Sequence, residues 1–290
     1  MRQRIQPDAP NSSFKYAKHI LWGLAVMSAL GLTTYILAPV YIFYYVPEEL
    51  PPYDIPPRDN SDDTLRIAVI GDSWADYHTS LSGDTIIANA TKKISALPVK
   101  TETRGKKGAL SKEVYYFMFE NKTVEHSYEQ DRCTQPLIEA HPDYCVIFAG
   151  INDVTYLRQP SFYAENLRLI INLLLHNKIR PVVMEIPAVN FKEPHQRKQF
   201  RERLFYLIRS VLMGTYNNEV TDYQKALTEM LTSHQLKDSV LYITARQWNP
   251  NGCLDETMFL EDHLHLNLGG YQKLDSCIAT EIVNDYGKRH

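Results

Sequence analysis

The sequence predicts an α/β domain on a mostly parallel five-stranded sheet, and three observations carry that prediction. Short apolar runs rich in Val and Ile alternate along the chain with longer stretches whose apolar residues recur at helical spacing. The runs are apolar on successive residues rather than on alternate ones, the pattern of strands covered on both faces. And 44% of the 290 residues are hydrophobic against 22% charged, which is ordinary globular composition and excludes disordered, collagenous and low-complexity classes. With 31 basic and 34 acidic residues the chain lacks the basic surplus of a nucleic-acid binder, so no nucleic-acid partner is expected.

The first element precedes that domain. Ile20 to Tyr45 is a run of 26 residues without a charge. About 20 apolar residues cross a ~30 Å hydrocarbon core, so a transmembrane signal-anchor helix is expected over 20–46. The run exceeds the roughly 7–15 apolar residues of a cleavable signal and closes on Tyr41, Ile42, Phe43, Tyr44 and Tyr45, bulky residues of an interfacial belt. Residues 1–19 form a basic tail, with Arg2, Arg4, Lys15 and Lys18 against Asp8. That surplus of three leaves −6 of the chain's net −3 on the remainder. Positive charge stays cytoplasmic, so the tail is expected inside and residues 47–290 outside, periplasmic or extracellular. Residues 47–64, acidic and punctuated by Pro47, Pro51, Pro52, Pro56 and Pro57, read as a stiff extended stalk.

Residues 65–290 hold the predicted sheet. Leu65–Ile70 is the first strand. Asp84–Ser95 is helical, with Ile86, Ile87, Ala90 and Ile94 on one side. Leu97–Thr103 and Cys145–Ala149 are the next strands. Ser161–His176 is an amphipathic helix through Tyr163, Leu167, Ile170, Ile171 and Leu174. Pro181–Ile186 is a buried strand, helices follow around 196–213 and 221–233, and Val240–Thr244 is the fifth strand. Asn267–Tyr286 closes as a helix on Tyr271, Leu274, Ile278 and Ile282.

Ligands of such sheets bind beyond the carboxyl ends of the strands, which directs attention to the residues there. Gly71-Asp72-Ser73 follows the first strand and Arg104-Gly105-Lys106-Lys107-Gly108 the second. Gly150-Ile151-Asn152-Asp153 follows the third, and Asp262-His263-Leu264-His265 precedes the last helix. Together, in this chain order, they resemble the SGNH or GDSL-type serine hydrolases, a family of esterases and lipases with a flavodoxin-like three-layer fold. The resemblance spans about Leu65 to Lys288. It implies Ser73 as nucleophile, His265 as the base that takes its proton, and Asp262 as the group that holds the imidazole. It implies an oxyanion hole from the backbone N–H groups of Ser73 and Gly108 and the side-chain amide of Asn152, with Gly105 as the alternative to Gly108. No cofactor or metal is implied.

Several readings stay open on the sequence. His263 competes with His265 as base, and Asp262, His263 and His265 could share a metal. Trp74 and Tyr77 read as packing residues or as a sugar-stacking platform. Arg104, Lys106 and Lys107 read as a solvated loop or as a lure for an anionic substrate. Asp72 and Asp153 read as holders of the strand-end turns. Cys133, Cys145, Cys253 and Cys277 allow three disulfide pairings, among which Cys253–Cys277 would pin the histidine loop. The expected function is a membrane-anchored extracytoplasmic serine esterase acting on acyl, above all acetyl, esters of a cell-surface carbohydrate. The alternatives are an O-acyltransferase with the same triad and a catalytically silent glycan-binding or scaffold protein of the same fold.

Overall fold

The computed structural model describes residues 19–33, 35, 49–58, 63–81, 85–119, 133–189, 199–212, 214–250 and 257–289. The chain divides into two compact units, Met1–Tyr45 and Val46–His290. In the first, residues 19–33 are helical with exposed side chains. Among the described residues no helix is long and apolar enough to cross a membrane, so the membrane helix expected over 20–46 has no described helix of that length. Residues 34 and 36–48 lie outside the described residues.

In the second unit, β1 (Leu65–Gly71), β2 (Val99–Gly105), β3 (Tyr144–Phe148), β4 (Arg180–Met184) and β5 (Leu241–Ile243) form one sheet in the order β2-β1-β3-β4-β5. Every neighbouring pair is parallel, as predicted. β1 and β3 sit centrally and, Arg66 apart, are buried on both faces, which accounts for their near-continuous apolar sequence. β2 lies at the edge and is only half-buried, so it tolerates Lys100, Glu102 and Arg104. Each parallel crossover needs a helix. α2 (Thr85–Ile94) packs against α10 (Leu268–Arg289), while α6 (Pro160–His176) packs against α3 (Ser111–Phe117) and α8 (Val220–Ser233). Four further helices, α1 (Ser73–Leu81), α4 (Gln135–Glu139), α5 (Ile151–Thr155) and α9 (Ala245–Trp248), are short, and α7 (Phe200–Leu212) follows β4.

This strand order reverses direction between β1 and β3, and their carboxyl ends open a crevice there. Register puts the motif-bearing ends level: Gly71 of β1 pairs with Gly105 of β2 on one side and Phe148 of β3 on the other.

The proline segment departs from expectation. Residues 49–58 are not a free stalk but an extended strap docked on the domain, with Leu50, Tyr53 and Ile55 packed on its core. An extended proline-rich backbone makes no internal hydrogen bonds, so its polar groups need external partners. The Leu50 N–H donates to the Tyr115 hydroxyl (3.0 Å), and the Tyr53 hydroxyl donates to the Met118 carbonyl (2.7 Å). Asn177 takes the role of a neighbouring strand: its Oδ1 accepts from Ile55 N–H and its Nδ2 donates to the Tyr53 carbonyl, both at 3.1 Å. Arg58 pairs with Asp143, which also accepts from the Arg66 N–H. The domain therefore starts before residue 65. Cys277 carries a free thiol, and Cys253, its expected partner, lies outside the described residues.

Candidate active site

The crevice is built from strand-end turns. Gly71 closes β1 at φ +155°, where an added Cβ would lie 2.0 Å from the Phe148 carbonyl oxygen, so no side chain fits. The next residue, Asp72, donates its N–H to that same oxygen (2.8 Å). Its carboxylate accepts from the Trp74 N–H (2.9 Å) and so opens α1 directly after Ser73. Burial pushes the Asp72 carboxyl up to about 8, against the pull of that N–H.

Ser73 is buried at the start of α1, and its Oγ lies 3.0 Å from His265 Nε2. The other ring nitrogen, Nδ1, is 2.5 Å from Asp262 Oδ2. Asp262 Oδ1 accepts the N–H groups of Leu264 and His265, each at 2.9 Å, which curls the loop so that the carboxylate and the imidazole three residues on face each other. Partial burial opposes the Asp262 charge, but these bonds from the His265 ring and two backbone N–H groups outweigh it and hold the carboxyl down to about 2. His263 takes no part: its N–H closes a turn onto Leu260, and its ring is not the one between Ser73 and Asp262. Among the described residues no group of His, Cys, Asp or Glu is placed to hold a metal ion.

The histidine loop is clamped from both ends. Phe259 and Leu266 form an antiparallel bridge, and Asn267 Oδ1 accepts the Gly270 N–H to cap α10. Trp74 reaches across, its indole Nε1 donating to the Leu264 carbonyl (3.1 Å), while the Tyr271 hydroxyl donates to the Trp74 carbonyl (2.9 Å). Trp74 is thus a buried strut and not a sugar platform. The Tyr77 ring sits 4.6 Å from the His265 ring, with Lys107 Nζ 4.4 Å over it and 3.5 Å from Asp76. Arg104 donates to the Cys133 carbonyl, a structural tie.

The second turn lies opposite. Gly108 sits in a Lys106–Ala109 turn at φ +78°, a left-handed conformation that favours glycine. The Asn152 amide, on α5, donates one bond to the Ala109 carbonyl (2.9 Å) and so holds that turn. Asp153 secures the same junction: its two oxygens accept the Ser111 N–H (2.9 Å) and hydroxyl (2.8 Å). Gly105, the alternative to Gly108, is instead packed under α1, where a Cβ would stand 2.4 Å from the Asp76 nitrogen. Both aspartates hold turns, as the sequence suggested.

A narrow, mostly apolar recess of about 20 Å³, lined by both chain neighbours of Ser73, is walled by Asp72, Trp74, Phe148, Met184, Glu185 and Trp248. Trp248 was not foreseen. It belongs to a four-residue helix too short to show periodicity and meets Trp74 edge-on at 6.0 Å.

The family model of the GDSL-like lipases and acylhydrolases matches residues 69–273, more than half of the chain. The chain belongs to that family. It is an acylhydrolase of the GDSL type, acting on ester bonds. Among solved structures it is similar to a protein named as a GDSL-like lipase from Parabacteroides merdae (14% identity, TM-score 0.50, 78% of this chain and 98% of that one). It is also similar to a lipase/acylhydrolase from Enterococcus faecalis (20%, 0.48, 75% and 94%). A third is a psychrotrophic esterase from Pseudoalteromonas (13%, 0.47, 77% and 97%). At such identity the first likeness speaks for the fold alone. No curated protein matches the chain.

Proposed function

We propose that this GDSL acylhydrolase is a serine esterase that removes short acyl groups through Ser73, His265 and Asp262. The contact of 3.0 Å between Ser73 Oγ and His265 Nε2 carries the reading, because a hydroxyl becomes a nucleophile only when a base within hydrogen-bond reach takes its proton. Asp262, ionised, selects the tautomer with the proton on Nδ1 and stabilises the imidazolium. Attack on the ester carbonyl forms a tetrahedral oxyanion. The Ser73 and Gly108 N–H groups and the second Asn152 amide proton are its proposed donors. Collapse expels the alcohol, which takes the proton from His265. Water then repeats the sequence on the acyl-enzyme and releases the acid.

The narrow apolar recess supports an acetyl-sized acyl group. The charge-free run 20–45 behind a basic tail supports a single-pass anchor with the catalytic unit outside the cytoplasm. The carbohydrate part of the substrate reading rests on that outward placement. The test is hydrolysis of p-nitrophenyl esters by the full chain. Activity is expected to fall steeply from acetate to octanoate, and Ser73→Ala is expected to lose about 10³-fold or more in kcat. Equal activity of Ser73→Ala sinks the triad, and a preference for octanoate sinks the short-acyl reading. Accumulation of acetylated glycan from an acetyl donor would reassign the same residues to acyl transfer.

A further inference from the structure

Helix α7 is turned inside out. Over Phe200–Leu212 its sequence is FRERLFYLIRSVL. At 100° per residue, Phe200, Leu204, Leu207 and Val211 fall on one stripe. In an ordinary surface helix that stripe would face the core. Here Phe200 is 78% exposed, Leu204 43%, Leu207 43% and Val211 61%. The side towards the protein is instead mostly polar near the helix's carboxyl end, with Ile208 partly covered beside it. Ser210 is buried, and Tyr206 and Arg209 are partly covered, with burial raising the Tyr206 hydroxyl and lowering the Arg209 guanidinium.

Charge marks the same helix. Arg201 and Arg203, both exposed, border the apolar stripe on either side. With Arg209 against Glu202 the helix carries a surplus of two, so the remaining residues hold −5 of the net −3. An apolar stripe edged by arginines on an otherwise acidic chain complements a surface that is apolar in depth and anionic at its rim. α7 also stands at the catalytic edge of the sheet. It follows the carboxyl end of β4, and Gly214, just past its end, lies against the Gln159 side chain at the start of α6.

We infer that α7 is a surface-docking element that seats its Phe200–Leu204–Leu207–Val211 stripe in an anionic lipid bilayer, with Arg201 and Arg203 on the lipid phosphates. This rests neither on the esterase reading nor on the anchor. Seated so, the catalytic edge of the sheet lies beside the lipid surface.

Amide hydrogen exchange of the full chain tests it, compared in detergent, in phosphatidylcholine vesicles and in vesicles that also contain phosphatidylglycerol. Exchange across 200–212 is expected to slow about tenfold only in the anionic vesicles, with α6 unchanged as a fold control. The double variant Arg201→Glu, Arg203→Glu is expected to lose that slowing while α6 exchange stays native. Equal exchange in neutral and anionic vesicles overturns the proposal. So does slowing in detergent that grows with protein concentration, which would make the stripe a contact between copies of the chain. The comparison holds whether or not residues 20–45 insert.

Discussion

Two of the buried carboxyl groups, Asp72 and Asp153, make stability depend on pH. Burial pushes Asp72 to about 8 and Asp153 to about 6, against roughly 3.9 in an unfolded chain. Raised folded values mean that the native state keeps protons the unfolded state has released. Stability from this source is full below about pH 4 and declines as pH rises towards 8. Asp262 has the opposite sign: held at about 2, its contribution is present above about pH 4 and is lost as pH falls through 2. The melting temperature is therefore expected to peak in mild acid and to decline up to pH 8. Asp72→Asn keeps an oxygen for the Trp74 N–H and removes one titration, so its decline above pH 6 should flatten. An unchanged slope, read by scanning calorimetry across pH, sinks this assignment. At this scale the chemistry was readable because the GDSL pattern fixes residue type and chain order: Ser73, Asn152, Asp262 and His265 were all singled out. Trp74 was read as a packing residue or a sugar platform, and its packing partners were not readable, because Phe148 and Trp248 come from remote parts of the chain.

Among elements, the link between α1 and the histidine loop matters most. Ser73 and His265 belong to segments 192 residues apart, and their 3.0 Å contact holds only if both segments are fixed. Trp74 does this through its Nε1 bond to Leu264, while Tyr271 of α10 grips the Trp74 carbonyl. Trp74→Phe leaves an aromatic ring in the wall but removes the indole bond and shrinks a buried ring packed on Phe148 and Trp248, at a cost of about 2–3 kcal/mol in stability. The expected result is a kcat about tenfold lower with a smaller change in KM, because displacement of the histidine loop outweighs the altered wall of the recess. A rise in KM at constant kcat would instead make Trp74 a substrate-binding residue. The five strands and the long helices were visible in the sequence, each strand end within two residues, because buried strands and amphipathic helices leave periodic patterns. α1, α3, α5 and α9 were not. They run from four to nine residues, too short for an amphipathic period to emerge, and contacts across the crevice hold them in place.

For the whole molecule, the strap decides where the catalytic unit begins. Composition marks the segment 47–64 as a proline-rich linker, yet proline content describes only the backbone's stiffness and not whether a groove awaits it. The groove is made by Tyr115, Met118, Phe119 and Asn177, which no local pattern in the segment reveals. Extended, internally unbonded backbone is well suited to such docking, since little conformational freedom remains for it to lose. A chain cut at residue 65 strips away Leu50, Tyr53 and Ile55 from the core and leaves the Asn177 amide and Asp143 without their strap partners. The cut also opens these groups to water, so each lost bond costs only about 0.5–1.5 kcal/mol, and the uncovered apolar surface of the core adds to it. Residues 65–290 are thus expected to melt roughly 5–10 °C below residues 46–290. Asn177→Ala in the longer chain should reproduce part of that loss, because it removes both bonds to the strap and changes nothing at Ser73. Equal melting of the two lengths would return residues 49–58 to the role of a passive tether. A deficit shared by the shorter chain and Asn177→Ala, with hydrolysis per folded molecule unchanged, establishes the strap as part of the fold. It would then act as a brace that ties the segment before β1 to α3, α6 and Asp143.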